Sequence, residues 1–209
     1  GIGAAENYLM PPEAYEAVPP ISVLGEKAAF IGHLSINPDA DGTIRQDPLL
    51  LHYGNEYYPS LALLLAAKSL NLGVGDISVN LVEGLRLGKL QIKTDPYLQM
   101  RTFFYRGTND RPAFAADSFY DVANGKIPLS KYKDKIVIIG PTAYGLGSPQ
   151  VTPVPPGMEP AYMLAHNVAS ILNQNFFITP EWATLVRWLA VLLASAFVIL
   201  GLPRLKAGP

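Results

Sequence analysis

Residues 160–172 read PAYMLAHNVASIL, and the helix that they predict anchors the assignment of fold class. The apolar residues of this stretch recur at steps of three, four and seven, which is the spacing of one face of an amphipathic helix. They are Ala161, Leu164, Ala165, Val168, Ile171 and Leu172. The pattern predicts a helix that packs one side against a core.

A continuous β-branched run, residues 135–140 (KIVIIG), precedes this helix and ends in glycine. Such a run is typical of a strand that is buried on both faces, at the centre of a sheet. A loop with five prolines within residues 141–156 separates the run from the helix. Because strands and helices alternate here, we predict an α/β fold, a layered domain with a mixed β-sheet flanked by helices.

The first half of the chain supplies further elements. Residues 1–22 are rich in proline and predict an extended lead-in. Helical spacing predicts helices over residues 59–70, with Ser60 as N-cap, and over residues 116–124. Apolar runs predict four strands, of which the first two form a hairpin: residues 28–36, 42–51, 87–93 and 100–105.

Residues 183–202 (ATLVRWLAVLLASAFVILGL) are apolar except for Arg187. At about 1.5 Å per residue, this length spans roughly the 30 Å hydrocarbon core, so we predict a transmembrane helix over residues 182–203. Trp182 and Trp188 are typical interfacial anchors, and the long side chain of Arg187 can reach the headgroups. The alternative is a buried helix of a soluble protein, but a helix that is apolar on every face rarely packs on a globular domain.

The charges around this segment predict its orientation. Arg204 and Lys206 follow it without an acid, and Glu181 precedes it. The positive-inside rule then places residues 204–209 in the cytoplasm and the main domain outside it.

Composition excludes several classes of protein. The formal charge of -1 and the pI near 6.3 leave no large basic surface of the kind that nucleic acids attract, which argues against a nucleic-acid-binding protein. The chain has no cysteine, which excludes disulfides, thiolate metal sites and cysteine nucleophiles.

Residues 37–44 (NPDADGTI) imitate the start of an EF-hand loop, with oxygen-bearing side chains at the first, third and fifth positions and glycine at the sixth. The ninth position is Arg45, and the twelfth is Pro48, where calcium requires a bidentate glutamate. A turn between two strands is therefore the better interpretation, and we predict no metal site. Asp41 and Arg45 are candidates for binding a small ligand.

The glycine-containing stretch at residues 140–147 (GPTAYGLG) follows the predicted central strand. It lacks the Gly-Lys-Ser/Thr ending of a nucleotide-binding P-loop. The carboxyl end of a central strand is still the usual crevice for a small ligand, so Thr142 and Tyr144 are further candidate binding residues. His166 is another candidate, although a lone histidine beside an apolar helix stripe is more often structural.

Catalytic patterns are absent from the sequence. No short metal or triad spacing links the three histidines, which are His33, His52 and His166. Ser118 lies beside Asp117 and Asp121 but outside any Gly-x-Ser-x-Gly elbow, and helix capping explains the same residues. We predict no catalytic residue and no cofactor.

Several segments together resemble the CHASE2 domain, an extracytoplasmic sensory domain of bacterial receptors. Their order and approximate spacing match that family from about residue 29 to residue 182. The segments are residues 32–50 (GHLSINPDADGTIRQDPLL), 117–147 (DSFYDVANGKIPLSKYKDKIVIIGPTAYGLG), 152–153 (TP) and 156–177 (PGMEPAYMLAHNVASILNQNFF).

The resemblance implies a function and a division of the chain. Residues 23–181 are expected to be the sensor domain, whose N-terminal part and membrane anchor would precede Gly1. It implies a signal-input domain in the bacterial inner membrane that regulates a cytoplasmic output domain, with adenylate or guanylate cyclase as our first choice. We expect a homodimer, contact with the lipid bilayer, and an unidentified extracytoplasmic ligand or protein partner.

Three alternatives stay open at this point. The output domain could instead be a Ser/Thr or histidine kinase or a cyclic-di-GMP enzyme. The chain could be a membrane-anchored assembly or binding module without a small ligand. A periplasmic enzyme would need a positioned nucleophile and base or a metal cluster, and the sequence offers neither.

Overall fold

The computed structural model of the chain describes residues 10–80, 84–107, 113–142, 149–154, 157–178, 180 and 182–201. The chain divides into two units, Gly1–Phe177 and Ile178–Pro209. All strands of the described residues lie in the first unit, and the second contains one long apolar helix.

Short strands form three separate antiparallel sheets in the described part of the chain. The strands are β1 (Gln46–Pro48), β2 (Leu50–Tyr53), β3 (Glu56–Pro59), β4 (Ile77–Asn80), β5 (Gly84–Leu87), β6 (Leu90–Ile92) and β7 (Gln99–Arg101). β1 pairs with β7, β2 pairs with β3, and β4, β5 and β6 form a three-stranded meander. The predicted combination of helices and strands is therefore confirmed, while the layered arrangement stays a prediction. The predicted mixed sheet is not found among the described residues, whose strands pair only antiparallel and in three small sheets.

Five α-helices complete the described secondary structure, together with two 3₁₀ turns at Val74–Asp76 and Leu129–Tyr132. The helices are α1 (Ser22–Gly25), α2 (Leu61–Ser69), α3 (Phe119–Ala123), α4 (Pro160–Asn173) and α5 (Trp182–Ala196). A π-helical turn, Phe197–Gly201, continues α5. The predicted helices over residues 59–70, 116–124 and 160–172 correspond to α2, α3 and α4.

Local sequence explains the bounds of the two core helices. The hydroxyl of Ser60 caps α2 by accepting a hydrogen bond from the Leu63 N–H at 3.2 Å, as predicted. α4 begins at Pro160, where the missing N–H costs no helical hydrogen bond, and it ends before Gln174 in the left-handed conformation.

The core lies between α2 and α4, which pack against each other and against strands β2, β5, β6 and β7. Its innermost side chains are fully shielded from solvent: Leu49, Leu63, Leu87, Ile92, Met100 and Ile171. The apolar spacing that predicted α4 therefore reports true burial, since Val168 and Ile171 are both part of this core.

The predicted central strand at residues 135–140 is not formed. The side chains of Ile136, Val137 and Ile139 are 38%, 50% and 75% exposed, and residues 136–142 make no backbone hydrogen bond within the described part of the chain. The end of the run lies close to α4, because a Cβ on Gly140 would lie 2.7 Å from the Cβ of Ala161. The prediction was wrong because a central strand needs neighbours on both edges, and β-branched composition cannot supply them.

The predicted hairpin between residues 28–36 and 42–51 is also absent. Residues 28–36 form only one bridge, from His33 to Ser60, and the second run is divided between β1 and β2. A local turn replaces the hairpin, since the Asp39 N–H donates to the Thr43 carbonyl at 2.9 Å and the Asp41 carboxylate accepts from the Thr43 N–H at 2.9 Å. β1 then pairs with β7, which is far away in the sequence.

Replacing Leu63 by alanine should lower the free energy of unfolding by about 2–5 kcal/mol, because it removes a fully buried side chain and leaves a cavity between α2 and its neighbours. Denaturant titration of the purified chain measures this change. The matched control is Leu129→Ala, whose side chain is 74% exposed and should cost less than about 0.5 kcal/mol. Equal losses in the two variants would contradict the assigned core.

Candidate functional site

Helix α4 presents polar side chains to the extended segment that follows β7. The Asn167 side chain accepts from the Thr102 hydroxyl at 2.7 Å. The Ser170 hydroxyl accepts from the Phe103 N–H at 3.0 Å and donates to the Phe103 carbonyl at 3.2 Å. At Phe103 the Ser170 hydroxyl takes the place of a neighbouring strand, so the extended chain continues past Thr102 with its backbone groups bonded to side chains of α4.

His166 adds a further bond, because its Nδ1 accepts from the Tyr105 N–H at 3.1 Å. We call His166, Asn167 and Ser170, with the segment 102–105, the polar ladder. The three helix residues are 3%, 5% and 0% exposed, the bond between Thr102 and Asn167 is buried, and the bonds of Ser170 and His166 are partly buried. A buried polar group that loses its partner costs about 1–3 kcal/mol, which fixes the segment in place.

His166 is held in its neutral form by its surroundings. Its ring lies 4.8 Å from the ring of Phe114 and 5.5 Å from that of Phe104, and it stacks on Tyr105 at 6.0 Å. Burial lowers the pKa of His166 to about 4. Because Nδ1 accepts a hydrogen bond, the neutral ring carries its proton on Nε2. This predicted ligand-binding residue is thus an integral part of the ladder.

The same extended segment also holds the residues that lead toward α5. Thr102 and Phe176 form an antiparallel bridge, and the Phe177 N–H donates to the Arg101 carbonyl at 3.3 Å. The rings of Phe103 and Phe177 stack with their centres 5.6 Å apart. We call residues 101–103 with Phe176 and Phe177 the exit clamp. It binds the end of the first unit to the strand pair β1–β7.

A carboxyl group is buried on the other strand of that pair. Asp47 in β1 lies opposite Met100 and is 7% exposed. Its one hydrogen bond to a described residue joins it to the Ser60 hydroxyl, at a long 3.4 Å. Burial raises the pKa of Asp47 to about 7, and the bond to Ser60 offsets only part of this effect.

His33 lies on the other side of Ser60. Its N–H donates to the Pro59 carbonyl at 3.1 Å, and its carbonyl accepts from the Leu61 N–H at 2.9 Å. Gly32 permits this close crossing, because a Cβ there would lie 2.7 Å from the Leu61 Cα. Burial lowers the pKa of His33 to about 4, and its Nε2 has no hydrogen-bond partner among the described residues.

The structure brings the candidates Asp41 and Arg45 together as an ion pair. The guanidinium of Arg45 donates to Asp41 at 2.8 Å and to Asp39 at 2.7 Å. The hydrogen bond from Arg45 holds the pKa of the Asp41 carboxyl well below its usual range. Arginine therefore occupies the oxygens that the EF-hand pattern would offer to calcium, and no cluster of three or more metal-ligating side chains occurs among the described residues.

The remaining candidates stay apart from these groups. Thr142 is exposed and makes no hydrogen bond to another described residue. Tyr144 lies outside the described residues. A small polar depression of about 170 Å³ occurs at β4 and β5, and none of the predicted site residues lines it.

Sequence reasoning missed the residues that the structure makes prominent. Asp47 directly precedes the apolar residues 48–51, and an acid at this point of a predicted strand was the signal that could have drawn attention to it. Asn167 and Ser170 lie beside the apolar stripe of α4, where their spacing looks like an ordinary helix surface. Their partners are more than 60 residues away, so no local pattern reveals them.

The family profile of the CHASE2 domain matches residues 5–202. The chain therefore belongs to the CHASE2 domain family. CHASE2 is an extracytoplasmic, sensory and non-catalytic domain of signalling receptors. No curated protein and no solved structure matches the chain.

His166 should make folding depend on pH in a defined direction. Its pKa is about 4 when folded against 6.5 for an unperturbed histidine, so the unfolded chain binds more protons between these values. The stabilisation from a neutral His166 is present above pH 6.5 and is lost as the pH falls toward 4, by up to about 1.4 kcal/mol per pH unit.

The variant His166→Phe retains an aromatic ring and should remove this slope. Its unfolding free energy, measured with denaturant from about pH 4 to 7.5, should approach that of the wild type as the pH falls. His33 is present in both proteins, so its contribution cancels in the difference. A difference that stays constant with pH would show that His166 is not a buried neutral base.

Proposed function

We propose that this chain is the signal-input domain of a membrane receptor and that it regulates a cytoplasmic output domain across the membrane. Membership in a sensory family supports the input role. The exit clamp is the observation that carries the proposal, because it ties a buried strand pair to Phe177, five residues before α5 begins at Trp182.

The membrane part of the proposal rests on α5 and its extension. Residues Trp182–Ile199 have a mean hydropathy of 1.9 over 18 residues, and none of them is buried. A long helix that is apolar on every face suits a bilayer better than water. We propose that it crosses the bacterial inner membrane, with the main domain outside and residues 204–209 in the cytoplasm, as the basic residues there favour.

The output and the assembly state belong to the same proposal. We favour adenylate or guanylate cyclase as the output, with a Ser/Thr or histidine kinase or a cyclic-di-GMP enzyme as the alternative.

We also propose a homodimer. The exposed side chains of Ile136, Val137 and Ile139 support association, because an apolar run this open to water is a typical contact surface. Sedimentation of the chain in detergent is the direct test of this state.

Truncating Phe177 should uncouple the domain from its output. The loss of the stack on Phe103 removes about 1 kcal/mol, which is about a fivefold shift of a two-state equilibrium. We would fuse the chain, with the native sequence that follows it, to a reporter cyclase and compare basal output in wild type and Phe177→Ala.

The matched control is Phe119→Ala, which removes an aromatic ring that is 66% exposed on α3, outside the clamp. We expect altered output from the clamp variant and wild-type output from the control. Identical output from all three proteins would contradict an input role for the domain.

A further inference from the structure

The Asp47 carboxyl is the one buried acid among the described side chains that has no cationic partner in the structure. Its one hydrogen bond to a described residue, the Ser60 hydroxyl, is long at 3.4 Å, and that hydroxyl also accepts from the Leu63 N–H. A buried carboxylate is usually stabilised by two or three donors or by a cation. The closed site therefore suits the neutral carboxylic acid better than the carboxylate.

The charged and titratable groups of the neighbouring elements do not change the preference of the site for the neutral carboxylic acid over the carboxylate. On the segment that crosses Ser60, His33 is kept neutral by burial, which lowers its pKa to about 4. On the approach to β1, Arg45 is bound to Asp39 and Asp41. On the paired strand β7, Arg101 is exposed, and Asp95 before it accepts from the backbone N–H of Gln99. α2 carries its basic residue, Lys68, in the last turn, away from Ser60.

Asp47 is also connected to the exit clamp through one strand pair. It lies opposite Met100, and Gln46 beside it lies opposite Arg101. The Thr102 N–H then donates to the Arg45 carbonyl at 3.0 Å, so the pairing of β1 extends into the clamp. Any displacement of β1 at Asp47 acts on the strand that holds Phe176 and Phe177.

We propose that the stimulus this domain reads is the extracytoplasmic proton concentration, through binding and release of one proton at the buried carboxyl of Asp47. The proposal rests on the proposed function above and names its stimulus. In the protonated state Asp47 is neutral, and β1 and β7 stay paired with the side chain of Asp47 buried. In the ionised state the proton has passed to water, and the carboxylate requires more donors than the described residues of the closed site supply.

The direction of the response follows from this chemistry. Ionised Asp47 favours an arrangement in which β1 moves and water or further donors reach the carboxylate, so the strand pair loosens. Because burial raises the pKa of Asp47 to about 7, this exchange falls in the neutral range. Acid conditions hold the clamp closed, and alkaline conditions release it. The protonated fraction changes about tenfold between roughly pH 6 and pH 8 for such a group.

The first experiment measures the proton site directly. The ¹³C resonance of the Asp47 carboxyl is followed against pH in the whole chain, reconstituted in nanodiscs and assigned with Asp47→Asn. We expect a midpoint near neutrality. A midpoint close to that of an exposed aspartate, about 4, would overturn the proposal.

The second experiment measures transmission to the start of α5. Trp182 serves as a fluorescence reporter in a Trp188→Phe background, since these are the two tryptophans of the chain. We expect its emission to shift with the midpoint of Asp47 in this background and in the control Asp134→Asn, which removes an exposed carboxylate in a conformation that asparagine tolerates. The shift should vanish in Asp47→Asn.

Two outcomes of the second experiment overturn the proposal. In the first, the emission shift persists in Asp47→Asn. In the second, the Asp47 carboxyl titrates near neutrality but the emission of Trp182 does not respond to pH. If circular dichroism shows that Asp47→Asn is unfolded, Asp47→Leu, which suits the apolar surroundings, replaces it in the same comparison.

The reporter fusion separates this proposal from the proposed function. Output that changes with Phe177→Ala but is indifferent to external pH overturns the proton stimulus and leaves the input role intact. Output that is indifferent to both overturns the input role itself. We expect an approximately tenfold change between about pH 6 and pH 8 at full coupling, lost in Asp47→Asn and retained in Asp134→Asn.

Discussion

The hydrogen bonds from the side chains of α4 to residues 102–105 are the constraint on which the rest of the structure depends. Backbone groups of an extended segment need partners, and here Ser170 and His166 supply them at Phe103 and Tyr105, while Asn167 binds the side chain of Thr102. Each buried bond, if broken, leaves an unsatisfied group that costs about 1–3 kcal/mol. The ladder therefore fixes the position of the extended segment on α4 far more tightly than apolar contact alone, which tolerates sliding.

That position links three parts of the domain. One side of the segment 102–105 reaches α4 and the core, while the strand that precedes it pairs with β1 and so with the buried carboxyl of Asp47. The segment also binds Phe176 and Phe177, the last residues of the first unit. A sensory domain must convert a local chemical change into movement at its exit, and such conversion requires an element with two arrangements that both sites bias. The β1–β7 pair with its clamp is that element in our account.

The sequence predicted those features that depend on neighbours along the chain. The apolar spacing of α4 and the capping serine of α2 are local signals, and the structure confirms both. The prediction of a strand at residues 135–140 was wrong, because strand formation depends on pairing with other strands, which the composition of the segment does not determine. The ladder and the site of Asp47 could not be predicted for the same reason, since each joins residues that are distant in the sequence. Of the predicted ligand residues, Asp41 and Arg45 bind each other, and His166 belongs to the ladder.

Amide hydrogen exchange at Phe103 and Phe177 measures whether the ladder holds the exit clamp in place. The comparison uses the wild type, Ser170→Ala and the control Ser69→Ala, which removes a helix serine of α2 outside the ladder. We predict that Ser170→Ala accelerates exchange at both amides by about fivefold or more, as loss of about 1 kcal/mol requires, and that the control leaves both unchanged. Faster exchange at Phe103 with an unchanged rate at Phe177 would contradict the account, because the ladder would then act only on its own segment.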